Sequence, residues 1–241
     1  KTRSGEKHEV QVYRNFGSKG KTLFDSDVKV KAGDKVKKGQ LLADSTFTKD
    51  GVLALGTNLR AAYVPFFGYN FEDGIVISDR AAEKLTSLHM YPNEVKWDAD
   101  TTINRRKFLS QYPHAFNRTQ VEGIGDDGVI RIGAEVKEGD PLVLALRKPS
   151  ETQQRKQLAV FRRGRPDKWK DRSLVWDKPN VGIVTDVVKK GKQLVVHVKT
   201  KEPAQVGDKL VGRHGNKGVI TRIVPVAEMP FSATKDGENR H

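Results

Sequence analysis

The segment VGDKLVGRHGNKGVI, residues 206–220, sets two lysines, an arginine, a histidine and four glycines between short apolar runs. Lysine presents a compact point charge and arginine a planar fork, and both suit phosphate oxygens. Gly207, Gly212, Gly215 and Gly218 would let the backbone come close to a ligand by removing side chains from its path. The P-loop is excluded, because it needs Gly-Lys followed by Ser or Thr, whereas Lys217 follows Asn216 and precedes Gly218. A solvated charge run rarely carries this many glycines between apolar strands, so the pattern predicts phosphate contact from a β scaffold.

The rest of the chain agrees with that scaffold. Apolar residues fall in short runs of Val, Ile and Leu separated by Gly, Asp, Asn and Lys, the pattern of strands joined by turns. Strands are expected at 52–55, 74–78, 181–188, 194–198 and 218–224. Helices are expected over 79–88, with a Ser78/Asp79 cap and Glu83 in the first turn, over 151–163, and over 104–117.

Composition narrows the function. The 241 residues include 44 Lys plus Arg against 30 Asp plus Glu, a net charge of +14. Such an excess points to a polyanionic partner, because phosphate neutralisation releases counterions. The absence of cysteine excludes disulfides and thiolate metal sites. No apolar run reaches membrane-spanning length, and KTRSGEKHEV at the start has neither a signal core nor an initiator methionine. That start, with the charged end SATKDGENRH, predicts a piece of something longer or one portion of a split polypeptide in the cytoplasm.

An internal echo organises the flanks. VKAGDKVKKGQLLAD (30–44) and RIGAEVKEGDPLVLA (131–145) share a Gly-x-x-Val-x-x-Gly-x-x-Leu frame, in which Gly33, Val36, Gly39 and Leu42 answer Gly133, Val136, Gly139 and Leu142. Each copy predicts tight turns between short strands. Lipoyl and biotinyl carriers show a similar sandwich-hybrid pattern, but neither copy is followed by an exposed lysine between Met or Ala, so the echo is scaffold.

A second chemical stretch is FFGYNFEDGIVISDRAAEKL (66–85). Adjacent carboxylates point to opposite sides of a strand, so Glu72 and Asp73 could serve one ion only if a turn or bulge reoriented them, and Gly74 offers a break. A polar turn capped by acids is the other reading of the same residues.

GYNFEDGIVIS (68–78), GVIRIGAEVKEGD (128–140) and VGDKLVGRHGNKGVITRIVPVAEMPF (206–231) together resemble the β subunit of multisubunit DNA-directed RNA polymerases, the bacterial form most closely. KVKKGQLLADS (35–45), GVLALGTNLRAAYVPF (51–66) and KDRSLVWDKPNVGIV (170–184) fit the same subunit in the same order. The resemblance implies a mainly β fold, a double-psi β-barrel with an inserted sandwich-hybrid wall or flap module and two or three short helices. It would divide the chain into N-terminal strands and a first sandwich-hybrid-like segment (1–59), a barrel core (60–90 with 193–241) and the insertion (91–192).

It also implies roles. Lys209 and Lys217 would be catalytic, reaching the growing RNA end and the phosphates of the incoming nucleotide, with Arg213, His214 and Asn216 supporting that nucleic-acid and substrate surface. Glu72 and Asp73 would sit beside the second, nucleotide-borne Mg2+, through water. The lysines would act as electrostatic clamps on the charge that builds at the α-phosphate, and no general base is implied.

The family's tightly held Mg2+ rests on an aspartate triad in a β′ subunit, in the pattern Asn-Ala-Asp-Phe-Asp-Gly-Asp, and that pattern does not occur here. The expected partners are therefore a β′-like subunit with the triad, the remaining β portions, a DNA template, RNA product and NTPs, without a membrane. Alone, the chain would be inactive.

Only KKGKQ separates Val188 from Leu194, where the cellular subunit carries a flap tip that grips sigma factor, and the sequence stops at His241 before a further barrel segment. Those departures point to a fragment or a split subunit of the large-bacteriophage kind, in the cytoplasm of a bacterium or infected host or packaged in a virion. The competing function is a non-catalytic basic β-barrel RNA-binding module of a ribonucleoprotein, which needs the cations but not the carboxylates.

Overall fold

In QLVVHVKTKE alternate residues are apolar or small, and the chain lays this segment down as the ten-residue strand Gln193–Glu202. Leu194, Val196, Val198 and Thr200 are buried on one face, while their neighbours remain partly or wholly accessible. The computed structural model describes residues 5–17, 20–149, 169–233 and 239–240. Over these residues the protein is mostly β, with three short α-helices and one 3-10 turn. The helix expected over 151–163 lies outside the described residues.

The chain divides into two compact units, one of residues 1–18, 23–88 and 201–241, the other of residues 19–22 and 89–200.

The second unit holds the larger core. Trp176 is fully buried with Phe108, Ile124, Leu142, Leu144, Val196 and Val198. Its indole N–H donates to the Asn180 carbonyl at 2.9 Å, so the ring is buried without an unsatisfied donor. Strands Glu135–Val136, Gly182–Lys190, Gln193–Glu202 and Ser87–Lys96 lie in that order in one sheet. Gly182–Lys190 and Gln193–Glu202 pair antiparallel up to Lys190 opposite Gln193, leaving a two-residue turn of Gly191 and Lys192. Gly191 has φ 57°, the left-handed geometry such a turn needs.

The single helix expected over 104–117 is two: Arg105–Gln111 and Arg118–Glu122. Pro113 disfavours helical geometry in Tyr112 and lacks an N–H, so the first helix ends there. Asn117 restarts the chain with a capping box, its side chain accepting from the Gln120 N–H while the Gln120 side chain accepts from the Asn117 N–H.

The first unit is built on a three-stranded sheet. Lys217–Val224 is central, antiparallel to Lys209–Val211 and parallel to Gly74–Ser78. Ser78 caps the next helix, accepting from the Ala81 N–H at 3.1 Å. That helix spans Asp79–Lys84, shorter than the expected 79–88, because Ser87 already begins a strand. Glu83 accordingly lies beyond the first turn, where Asp79 is the acidic residue. Ile77, Ala82, Ala204 and Ile220 form the small core. The strand expected over 52–55 is reduced to Val52–Leu53.

The echoed glycines make one recurrent turn. In Lys31–Asp34, Lys37–Gln40 and Lys137–Asp140 the fourth residue's N–H donates to the first residue's carbonyl, and its side chain accepts from the first residue's N–H. Gly33, Gly39 and Gly139, third in each turn, have φ of 95°, 80° and 86°. The two copies differ in burial: Val136 and Leu142 are in the core, whereas Val36 and Leu42 are 52% and 38% exposed.

Candidate nucleotide-contact site

Gly207 belongs to the same turn type. Asp208 donates its N–H to the Gln205 carbonyl and accepts from the Gln205 N–H at 2.8 Å, with Gly207 at φ 95°. This turn delivers the chain into Lys209–Val211. A three-residue loop, Arg213-His214-Gly215, then reverses it into Lys217–Val224. It is closed by Gly212 N–H to Asn216 carbonyl at 2.6 Å and Gly215 N–H to Gly212 carbonyl at 3.2 Å, with Gly215 at φ 88°.

Each glycine of the segment therefore has a structural duty. Gly207 and Gly215 take left-handed backbone. Gly212 lies against the Asn216 side-chain amide, which would have to swing aside for a Cβ, and Gly218 lies against the Asp73 carbonyl and the Ile75 side chain. The close approach that the sequence assigned to a ligand is, at Gly212 and Gly218, an approach of the chain to itself.

The register places both lysines on one face. Lys209 is opposite Val219 and Val211 is opposite Lys217. Residues paired across strands, and those two apart along one strand, share a face, so Lys209, Val211, Lys217 and Val219 point one way. Leu210, Gly218 and Ile220 point to the other face, where Gly218 and Ile220 are buried. Lys209 and Lys217 are exposed, and neither side chain makes an ion pair or hydrogen bond among the described residues.

Glu72 and Asp73 come to the same end of this sheet. The Val219 N–H donates to the Asp73 carbonyl at 2.9 Å, and Gly74 pairs in parallel with Val219. The two carboxylates lie in a tight turn, closed by Gly74 N–H to Phe71 carbonyl at 3.0 Å, with Glu72 itself at φ 54°. The reorientation expected at Gly74 thus happens two residues earlier, at a non-glycine residue held in the left-handed region. Both carboxylates are exposed and make no ion pair among the described residues.

The preceding loop is itself ordered by hydrogen bonds. Tyr69 N–H donates to the Phe66 carbonyl across Phe67 and Gly68, both at positive φ. The Asn70 side chain accepts from Phe66 N–H and donates to the Val64 carbonyl. Tyr69 is held from the sheet by Thr221, whose hydroxyl donates to its carbonyl at 2.5 Å, and by Arg222, whose guanidinium lies 4.2 Å from its ring centroid.

Of the supporting residues, Arg213 and His214 sit exposed at the hairpin tip, and Asn216 closes its base. Arg213 donates to the Asn58 side chain at 2.7 Å. Asn58, Tyr69, Thr221 and Arg222 lie within the stretches that carry the family resemblance, but their contacts were not legible in the sequence, because they join residues more than 140 positions apart.

Among the described residues no three His, Cys, Asp or Glu side chains converge on a metal position. Glu72 and Asp73 could supply oxygen to Mg2+ only as one side of a mostly water- and phosphate-filled shell, which suits that ion's octahedral, reluctantly dehydrated chemistry. Among the described residues no helix is long and apolar enough to cross a membrane.

Residues 7–237 match the family RNA polymerase Rpb2, domain 6. A DNA-directed RNA polymerase subunit beta from Rubrobacter xylanophilus is 40% identical over 219 residues, 84% of this chain and 19% of that protein. The corresponding subunits of Thermus thermophilus and Tropheryma whipplei are 38% and 36% identical over 92% and 95% of this chain, in each case 21% of theirs. The chain spans about a fifth of the length of these curated relatives. With a family match across nearly its whole length, the chain belongs to the RNA polymerase Rpb2 domain 6 family, and it corresponds to a portion of a polymerase β subunit.

Proposed function

We propose that this chain lines the nucleotide-addition site of a DNA-dependent RNA polymerase and contributes Lys209, Lys217, Glu72 and Asp73 to it. The observation that carries this reading is the Val219–Asp73 hydrogen bond. It brings a carboxylate turn and a lysine face to one end of one sheet, with neither pair neutralised by the other. Unpaired opposite charges so arranged await a ligand carrying both signs, and a Mg2+-bound nucleotide is such a ligand.

In this reading the lysines hold phosphate oxygens and stabilise the charge that develops as the α-phosphate is attacked. Glu72 and Asp73 orient water on the nucleotide's Mg2+. Arg213, His214 and Asn216 form the hairpin surface beside the RNA end, with Arg213 braced by Asn58. A β′-like partner supplies the principal Mg2+ site through its aspartate triad, so activity belongs to the complex with DNA template, RNA and NTPs.

The same proposal takes the three-stranded sheet as part of a double-psi barrel formed by 60–90 and 193–241. It takes 91–192 as the wall or flap insertion and the echoed turns, beginning within 1–59, as sandwich-hybrid elements. The exposure of Val36 and Leu42, whose counterparts are buried, supports burial of the first copy against another β portion. The two-residue turn at Gly191–Lys192 supports a β subunit without a sigma-gripping flap tip. A split bacteriophage subunit, acting in an infected cytoplasm or packaged in a virion, would have that form.

The test is NTP incorporation on a nicked or tailed template by the complex purified through a tag on this chain, against a Lys217→Ala complex of the same composition. Template-dependent synthesis that collapses in the variant supports the reading. Synthesis indifferent to Lys217 moves the function to a basic RNA-binding module, which the net charge of +14 would also serve.

A further inference from the structure

Thr221 and Arg222 are consecutive, yet both contact Tyr69, one through its carbonyl and the other through its ring. A regular strand sends neighbouring side chains to opposite faces. The register shows how this one departs: Ile220 pairs with Ile75 and Arg222 with Val76, so Thr221 is an extra residue, a bulge, in Lys217–Val224. Bulges re-aim side chains, and this one turns Thr221 onto the 69–74 loop. Its hydroxyl donates to the Tyr69 carbonyl at 2.5 Å and lies 3.3 Å from the Ile75 carbonyl, so it bridges the two ends of the segment that carries Glu72 and Asp73. Its methyl group fills the space beside Gly74, where a Cβ would meet Thr221 Cγ2, Tyr69 O and Phe71 O, each at 3.0 Å.

That segment needs a clamp. Glu72 holds φ 54°, a conformation that a non-glycine residue keeps only where the surroundings impose it.

We infer that Thr221 is a positioning residue that holds the Tyr69–Gly74 loop, and with it the Glu72 and Asp73 carboxylates, in register with the lysine face. Arg222, with its guanidinium over the Tyr69 ring, is its second fastening. The consequence for Mg2+ rests on the nucleotide-site reading above; the restraint itself does not.

The experiment compares Thr221→Val, which keeps the shape and removes the donor, with Thr221→Ser, which keeps the donor, in the assembled polymerase. Amide hydrogen exchange over residues 69–74, without magnesium, reads the restraint directly. NTP incorporation titrated with Mg2+ reads its effect. Thr221→Val should speed exchange there by about fivefold to tenfold, the loss expected for one hydrogen bond. It should raise the half-saturating Mg2+ concentration by a similar factor and leave kcat at saturating Mg2+ near wild type, while Thr221→Ser stays close to wild type in each measurement. Unchanged exchange in Thr221→Val overturns the positioning role, whatever the incorporation rate. Faster exchange with an unchanged Mg2+ titration upholds the restraint and instead overturns the assignment of Glu72 and Asp73 to the metal.

Discussion

Gly218 stands against Asp73 so closely that a Cβ at 218 would overlap the Asp73 carbonyl oxygen. The next residue, Val219, donates its N–H to that same oxygen at 2.9 Å. The two chemical motifs of the chain, 145 positions apart, are thus joined backbone to backbone, and the joint requires glycine.

Gly218→Ala should therefore push the two strands apart. The obstructing atom is backbone, which cannot swing away, so a loss of about 1–3 kcal/mol is expected in urea unfolding. Gly207→Ala is the contrast. A Cβ there meets open space, and only its φ of 95° resists, so about 1 kcal/mol is expected. Equal losses in the two variants would show that crowding at Asp73 is relieved by movement elsewhere.

Glu72 offers a test of strain against chemistry. Glu72→Gly relieves the left-handed backbone and should stabilise the chain by roughly 0.5–1 kcal/mol, while removing the carboxylate. Glu72→Gln keeps the strain and removes only the charge, so its stability should match wild type. Both complexes should need more Mg2+ for half-maximal incorporation. Stabilisation by glycine together with weaker Mg2+ response would mark strain retained for function.

The strands at 74–78, 194–198 and 218–224 were legible in the sequence because alternation and bounding glycines are local signals. Candidate site residues were legible as residue types, and their segments as motifs. Their convergence was implied by the family resemblance alone, since a parallel pairing between residues near 74 and 219 leaves no local trace. The bulge at Thr221 escaped for the same reason: threonine is an ordinary strand residue, and only the pairing register shows it to be an extra one. At Gly212 and Gly218 the sequence points only to a ligand, because close approach to a ligand, to a neighbouring side chain such as Asn216 and to a distant backbone such as Asp73 all demand the same missing side chain.

Asp98 ties stability to pH. Its carboxylate accepts from the Thr101 hydroxyl at 2.8 Å, from the Asp100 N–H at 3.1 Å and from Arg147 at 3.0 Å. The Thr101 bond first, and then the Arg147 charge, hold its pKa below the ordinary 3.8. A depressed folded pKa means that the contribution is present above 3.8 and is lost as pH falls through the lower folded value. Asp98→Ala should melt at a lower temperature than wild type at pH 6, and the gap should narrow below pH 3.8. The exposed pair predicts a small gap, and one that widens on acidification would contradict the assigned sign.

Lys209 tests whether the lysine face acts as a set of point charges. It lies on the edge strand opposite Val219, diagonal to Lys217 on the same face, so one phosphate-bearing ligand could span both. Lys209→Ala in the assembled polymerase should lower kcat/KM for NTP by about 10–100-fold, the range for losing one preorganised cation at developing charge. Lys209→Arg keeps the charge but replaces a compact ammonium with a wider planar fork, so it should recover part of the loss. If both lysines hold one ligand, the double alanine variant should lose less than the product of the single losses, because each cation's effect depends on the other's placement. Strict multiplicativity would assign the two lysines to separate groups, Lys217 to one and Lys209 to the other.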